Sequence, residues 1–531
     1  MENNKANKSF FQELKERRFF TYFFSYILAS FAVIQFVDWY ATKYEMSNHL
    51  PTMAMVFLAA VFPSYLIFAW YHGKPGPDPW RPFEKIFIPA NVIAALGLVF
   101  FLFSGRSLQA ATETITIKDE EGKEVERVVP KANFTHRIAM FPLKTLGGIT
   151  EEDKDIGGIA TLLQMEDLEQ DNRLYGINPI NLKEEASQLG HDILSNDLPY
   201  SVQRKIAEVE YAEFTSSGTI NKDAEGNYIV KTLINNVADS KVFFEKEFKG
   251  KDLYKIIDDF TSEFRSSLIL SEASQNAHNE MDLPCNELLT SDMESLKSYY
   301  KAMVASNINN DYGSAFQLMN QSIERDPKFA KAYLRRAGIA MSVGNQPGYQ
   351  DDMKKALEYS QSLPERAQLN IKSSYLISKQ QLEKAISLLE MWTQLYPKDY
   401  VPYSQLFYFY SVLSEINKAV SVGERALHNG HESAMGLRLA SLYNRVGKFE
   451  EAKNITDNFI KSFPNRAKEN YQVGDIFMEQ GEFDKAEEHY EKIALLKPTD
   501  YFPLLKLGNV QGKKLNFKEQ AKYYKQALEY A

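Results

Sequence analysis

An alanine followed twelve residues later by a proline occurs at Ala315/Pro327, Ala385/Pro397, Ala452/Pro464 and Ala486/Pro498. The alanines Ala385, Ala419, Ala452, Ala486 and Ala521 advance by 34, 33, 34 and 35 residues, and the 70 residues from Ala315 to Ala385 leave room for an irregular unit around Ala356. A period near 34 admits few folds, because it is the length of one antiparallel helix pair that buries its apolar face only by stacking on its neighbours. Alanine is needed where the second helix crosses the first at close range, and proline opens the next unit because it cannot continue the helix before it. Small residues (Ala337, Ala440, Gly474, Gly508) fall on the first helices, and Tyr333, Tyr403, Tyr410, Tyr443, Phe477 and Tyr490 take packing positions, so these aromatics are core rather than a cofactor box. The pattern begins after Ser291 and predicts an all-α superhelix of six to seven repeats over 286–531.

The other end of the chain is apolar. Phe19 to Tyr40, Pro51 to Tyr71 and Ile86 to Phe103 each reach the length that crosses a hydrocarbon layer of about 30 Å, so residues 1–106 read as an anchor of three transmembrane helices. Ser9 and Gln12 fit a capping box, and no breaker precedes Tyr40, so one helix of about 48 Å is expected there. Eight cations flank the N-terminus and the second loop (Lys5, Lys8, Lys15, Arg17, Arg18, Lys74, Arg81, Lys85), against Lys43 in the first loop and Arg106 after the third span. Positive-inside bias then keeps the N-terminus cytoplasmic and sends everything after about residue 106 across the membrane. Gln35 is expected to hydrogen-bond a neighbouring helix and Asp38 to lie at headgroup level, while Pro63 and Pro89 read as kinks or caps.

Composition narrows the function. The net charge is -9, and residues 1–110 hold 10 Lys/Arg against 7 Asp/Glu, which leaves 51 against 63 on the remainder. An acidic body with no basic stripe excludes nucleic acid as a partner. Cys285 is the single cysteine, and the eight histidines show no zinc-ligand spacing, so no disulfide, structural metal or cofactor is expected. His428 and His431 are three apart but straddle Asn429-Gly430 and lack a third ligand.

Between the two ends, residues 107–132 alternate apolar and polar on both sides of Glu121-Gly122-Lys123 and read as a β-hairpin linker. Residues 133–275 read as a small α+β domain with a mixed sheet. Strands are expected at Arg137 to Leu143, Leu174 to Ile180, Tyr211 to Ile220, Asn227 to Asn236 and Lys241 to Phe248, with helices from Asp155 to Asp171, after Asn181, and from Asp252 to Leu268. Gly157-Gly158 lies within a helical pattern rather than a phosphate loop. No Gly-x-Ser-x-Gly elbow occurs, and His136 and His191 read as packing or surface residues, so a non-enzymatic protein is expected.

The period and its alanine, proline and aromatic positions resemble tetratricopeptide (TPR) repeats. The membrane motifs SFFQELKERRFF, IQFVDWY and VFPSYLIFAWY, with RIAMFPL and VADSKVFFEKEF, resemble bacterial multi-pass membrane proteins in which a TolB N-terminal-like α/β domain precedes such repeats. That resemblance implies a bacterial inner membrane, with residues after about 106 in the periplasm. It also implies a peptide-binding groove lined by the first helix of each pair. Counted from the prolines, the groove positions are Lys331, Leu334, Tyr408, Asn444, Lys468, Tyr471, Asp475, Met478, Phe502 and Asn509. The paired Lys and Asn of the carboxylate-clamping members are not reproduced. The expected function is a membrane-anchored, protein-binding scaffold whose groove takes an envelope protein or peptide while three helices hold the lipid bilayer. The alternative is a transmembrane sensor or regulatory component signalling to a separate cytoplasmic regulator.

Overall fold

The computed structural model describes residues 10–44, 46, 49–74, 79–104, 112–131, 134–268, 282–344 and 346–530. They group into two compact units, one built from 1–115, 128–133 and 266–279 and the other from 116–127, 134–265 and 280–531.

The first unit holds α1 (Phe10–Glu16), α2 (Phe19–Lys43), α3 (His49–His72) and α4 (Pro82–Phe103), of which the last three are long and apolar enough to cross a membrane. The single 48 Å helix expected from the sequence is broken, because Arg18 takes the left-handed conformation (φ 51) and separates α1 from α2. The neighbouring Arg17 turns back onto α3, donating to the Trp70 carbonyl at 2.5 Å with its guanidinium 4.4 Å from the Trp70 ring centre. The capping expected of Ser9, and the cations Lys5, Lys8 and Arg106, lie outside the described residues. Gln35 and Asp38 are both exposed, and among the described residues Gln35 makes no helix-to-helix hydrogen bond. Three other residues tie the helices together: Tyr26 donates to the Leu58 carbonyl at 2.6 Å, Ser64 to the Asn91 amide oxygen at 2.6 Å, and Asn91 to the Ala60 carbonyl at 3.1 Å. Inside hydrocarbon such bonds satisfy groups that no water reaches. Pro63 and Pro89 both sit inside their helices rather than at an end.

β1 (Thr112–Lys118) and β2 (Glu124–Pro130) form a hairpin whose turn needs Gly122 at φ 79. In the second unit β3 (His136–Met140), β4 (Lys144–Thr145), β5 (Leu174–Ile177), β6 (Phe214–Lys222), β7 (Tyr228–Asn236) and β8 (Val242–Gly250) make one mixed sheet in the order β5-β3-β6-β7-β8, with β4 beside β6. β3 is parallel to both neighbours, while β6, β7 and β8 form an antiparallel meander. Ile138, Ala139 and Met140 are all fully buried, which is why this strand reads as an unbroken apolar run: both faces of the sheet are covered there. One face carries α6 (Lys183–Gln188) and α7 (Tyr200–Val209), whose Ala186, Ile206 and Ala207 pack with Ala139 and Phe141. On the other face α5 (Ile156–Leu168) lies against β4, β5 and β6, and α8 (Leu253–Leu268) sets Phe260 and Phe264 5.8–6.2 Å from the rings of Phe244 and Phe248.

Seven helix pairs follow among the described residues: Met293–Asn307 with Tyr312–Arg325, Ala330–Ser342 with Gln346–Tyr359, Glu365–Ser378 with Leu382–Leu395, Tyr400–Val412 with Ile416–His428, Glu432–Arg445 with Phe449–Ser462, a broken first helix (Pro464–Glu469, Tyr471–Glu479) with Phe483–Leu496, and Phe502–Lys513 with Phe517–Tyr530. Ala315, Ala356, Ala385, Ala419, Ala452 and Ala486 are all 0% exposed, whereas Ala521 in the last pair is exposed. The same spacing operates in ring packing. A Cβ on Gly474 would lie 2.4 Å from Cε1 of Tyr490, and one on Gly508 would lie 2.3 Å from Cε1 of Tyr524. We therefore expect Gly474→Ala to lower the urea midpoint of the repeat array, since overpacking of about 1–3 kcal/mol exceeds the gain of about 1 kcal/mol from replacing a helical glycine. A raised midpoint would mean that the two helices are not in this contact.

Candidate functional site

The first helices of the pairs, and the turns leading into them, hold the α/β domain. Lys297 meets Asp153 at 2.5 Å, Lys331 pairs with Glu166, and Arg466 pairs with Glu185 and, at 3.1 Å, with Glu210. Arg137 donates to the Gly430 carbonyl at 2.5 Å, and Tyr211 bonds Glu432. The glycine pair Gly157-Gly158, placed in a helical pattern by the sequence, serves packing: a Cβ on Gly157 would strike the Leu143 carbonyl oxygen at 1.9 Å, and one on Gly158 the Tyr300 hydroxyl at 1.9 Å. The hairpin tip joins the same assembly through Glu120 to Lys372, Glu121 to Lys384 at 2.7 Å, and the Asp119 carbonyl, which accepts from Ser387 at 2.8 Å. Directed, charged contacts of this kind fix register more than they add stability.

Arg366 is a buried anchor with several partners. Its Nε and Nη2 grip Asp399 at 2.5–3.1 Å, and its Nη1 donates to the Leu174 carbonyl at 2.9 Å. Asp399 also accepts from the Trp392 indole at 2.7 Å. Burial opposes the guanidinium charge, but Asp399 and Glu169 outweigh it and hold its pKa above the ordinary range. Lys331 behaves alike, with burial opposed and overcome by Glu166. Glu169 has no cation bonded to it among the described residues; its carboxylate accepts from the Gly176 N–H at 3.2 Å, and burial pushes its pKa up to about 7, Arg366 pulling it down and Glu166 and Asp399 pushing it further up. Around these groups lies a cavity of about 680 Å³, walled on one side by α5 and β5 and on the other by the first helices of the second, third and fourth pairs.

A second cavity, of about 410 Å³, lies among the last repeats, its wall formed by Ser441, Gln472, Asp475, Met478, Tyr490 and Lys506 together with Glu479 and Asn509. Asp475 accepts from the Tyr490 hydroxyl and from Lys506, both at 2.6 Å. The structure therefore brings Asp475, Met478 and Asn509 together out of the ten groove positions. Tyr471 and Phe502 stack edge to face nearby at 5.0 Å, with the Tyr471 hydroxyl donating to Asp500 at 2.8 Å. Tyr408 and Lys468 are exposed and do not line that cavity, Lys468 although it stands only seven residues before Asp475. Asn444 is buried and committed to its neighbours, donating to the Ile476 carbonyl and Glu479 at 3.2 Å and accepting from Gln480 at 3.1 Å. Lys331 and Leu334 line the larger cavity beneath the α/β domain. The expectation of one continuous open groove is thus revised: its earlier part is covered by the chain's own α/β domain, because acidic side chains on α5, α6 and the end of α7 meet the cations of the first helices.

Position counting from prolines did not single out Arg335, Arg366, Asn370, Asp399 or Gln405. The signal was present in the intervals: Lys331, Arg366 and Val401 are 35 apart, as are Arg335, Asn370 and Gln405. His431, considered above as a weak metal ligand, is buried between the rings of Tyr400 and Tyr403 at 5.5 Å, and burial lowers its pKa to about 3.

The architecture defined by these elements is three long apolar helices, a small mixed-sheet domain and a helical TPR-like superhelix. The tetratricopeptide repeat model matches residues 470–500, the stretch that carries Gln472, Asp475, Met478, Glu479 and Tyr490. No curated protein sequence matches the chain. Among solved structures, a tetratricopeptide repeat protein from Parabacteroides merdae is 16% identical over 45% of this chain and 94% of its own, with a TM-score of 0.34. A thermophilic TPR protein of Thermus thermophilus is 17% identical over 35% of this chain and 99% of its own, at 0.30. The apo form of the quorum sensor NprR from B. thuringiensis is 12% identical over 44% and 76%, at 0.36.

Proposed function

We propose that this chain is a membrane-anchored, non-enzymatic scaffold that takes a protein partner on its last two repeat pairs. The observation that carries the reading is the open cavity formed by Asp475 and Met478, in the repeat that matches the tetratricopeptide model, together with Lys506 and Asn509 on the first helix of the next pair. Mixed charge there suits a partner strand or helix carrying both signs, with Lys506 and Asp475 exchanging their mutual 2.6 Å contact for contacts to the partner. The three apolar helices support attachment to a bilayer, and the cation bias around α2 to α4 supports a cytoplasmic N-terminus with the TolB N-terminal-like domain and repeats in the periplasm of a bacterium.

Photo-crosslinking in intact cells tests this, with the probe placed at Asn509 and, as a control on the far helix of the last pair, at Lys522. The expected result is one discrete product from Asn509 that is absent from Lys522 and is lost in Lys506→Glu. Identical products from both positions, or a product indifferent to Lys506→Glu, would remove the site. A periplasm-active reporter fused after the last repeat is expected to be active; a silent reporter alongside an active cytoplasmic one would reverse the topology.

A further inference from the structure

The larger cavity is more than a seam between domains. The helices Ala330–Ser342, Glu365–Ser378 and Tyr400–Val412 begin 35 residues apart, so their second residues (Lys331, Arg366, Val401) are equivalent, and so are their sixth (Arg335, Asn370, Gln405). Lys331 and Arg366 on the first rung are spent on Glu166 and on Asp399 and the Leu174 carbonyl. The second rung, one helical turn further on, faces the same cavity with its side chains unspent. Arg335 has no ion pair and Asn370 no side-chain hydrogen bond among the described residues, and the Gln405 amide oxygen is fully buried without a donor. A buried acceptor left unpaired costs on the order of 1–3 kcal/mol, so the Gln405 oxygen, beside the half-buried Arg335 and Asn370 on the same cavity wall, is a group that a donor from a bound molecule would satisfy.

Chemistry narrows that ligand. Arg335 asks for a carboxylate, Asn370 for a group that both donates and accepts, and Gln405 for an N–H or O–H donor. Glu169, on the opposite wall and without a bonded cation among the described residues, suits a free amine. Packed helices lie about 8–10 Å apart, so Arg335 and Gln405 start roughly 16–20 Å apart at the backbone and their long side chains close much of that gap. What remains fits two or three extended residues at about 3.3–3.6 Å each. At about 680 Å³ the cavity has the size of an ordinary small-molecule site. We propose that the cavity between the α/β domain and the second to fourth repeat pairs binds a small zwitterion of dipeptide size, its carboxylate on Arg335, its amide on Asn370 and Gln405, and its amine toward Glu169. This site is separate from the protein-binding cavity at Asp475 and Lys506, and neither reading depends on the other.

The test uses the full chain in detergent and calorimetric titration with a panel of free dipeptides carrying apolar, acidic and basic side chains (Ala-Ala, Ala-Glu, Lys-Ala), alongside their N-acetylated and C-amidated forms. At least one free dipeptide is expected to bind one to one with a Kd below about 1 mM, and masking either terminus to weaken it by roughly tenfold or more, the worth of one charged hydrogen bond. Arg335→Met should weaken it by a similar factor. Gly338 lines the cavity where an added Cβ meets nothing within 4 Å, so Gly338→Leu places a bulky side chain at the cavity wall and should abolish binding, with an unchanged or raised melting temperature showing that the fold is intact. Absence of binding by every dipeptide up to about 10 mM, or binding that Gly338→Leu and Arg335→Met leave intact, overturns the proposal.

Discussion

Arg366→Met is expected to destabilise the α/β domain on its repeats by about 3–5 kcal/mol, the cost of leaving a buried carboxylate without its cation. Asp399 is 4% exposed and, among the described residues, would keep only the Trp392 indole as a side-chain donor, while the carbonyls of Leu174 and Glu169 would each lose one. Methionine replaces most of the volume, so the loss measures charge and hydrogen bonding rather than a cavity. Arg366→Lys should recover little, because one ammonium cannot grip Asp399 in two places and reach Leu174 as well. Adding Asp399→Asn to Arg366→Met should restore much of the loss, since the stranded charge is then gone. Limited proteolysis reads the effect locally, in cleavage within 134–265 at lower urea than in the parent, and circular dichroism reads it globally. A single variant within about 0.5 kcal/mol of the parent, as an ordinary surface change would be, means that Arg366 does not hold the two together.

The parts of this molecule that follow a period were legible in its sequence, and the parts that depend on contacts between periods were not. Ala385 and Ala452 announce their burial because close helix crossing allows only small side chains at a fixed interval. Phe19 to Tyr40 announces a span because lipid demands an unbroken apolar length. The sequence places one helix after Asn181 and gives no separate helix at Tyr200–Val209, although Val202, Ile206, Ala207 and Val209 share a helical spacing and Ile206 and Ala207 are buried. The break at Arg18 was invisible because nothing in the local residue types requires a left-handed arginine; Arg17, reaching for Trp70, belongs to a contact with another helix. The larger error concerned the groove. Counting from prolines treats every first helix as facing solvent, whereas Lys331, Arg366 and Arg466 find their partners more than 150 residues away, at Glu166, the Leu174 carbonyl and Glu185. Long-range charge pairing leaves no local pattern, and only the 35-residue intervals that align Lys331 with Arg366, and Arg335 with Asn370 and Gln405, hinted that these positions act as sets.

Glu169→Gln is expected to stabilise the protein at pH 8 and to leave it unchanged at pH 4. The carboxyl holds its proton more tightly folded, with a pKa of about 7, than in an unfolded chain, where the ordinary value is 4.5. A group raised in this way contributes fully below the unfolded value, and its contribution is lost as the pH climbs through the folded one. The penalty therefore opens above pH 4.5 and is complete somewhat above pH 7, with a ceiling of about 3 kcal/mol. The groups facing it explain the sign: Glu166 on its own helix and Asp399 on the repeats push the pKa up, Arg366 and Lys331 pull it down, and burial outweighs both cations. Glutamine keeps an oxygen for the Gly176 N–H and carries no charge to desolvate. His431 works in the opposite direction, its pKa lowered from 6.5 to about 3, so it erodes stability as the pH falls below 6.5. Because both chains share that histidine, the difference between their melting curves across pH 4 to 9 isolates Glu169. A difference that stays flat across this range, or that shrinks as the pH rises, means that the carboxyl sits ionised against Arg366 and that the cavity wall is differently charged from the one described here.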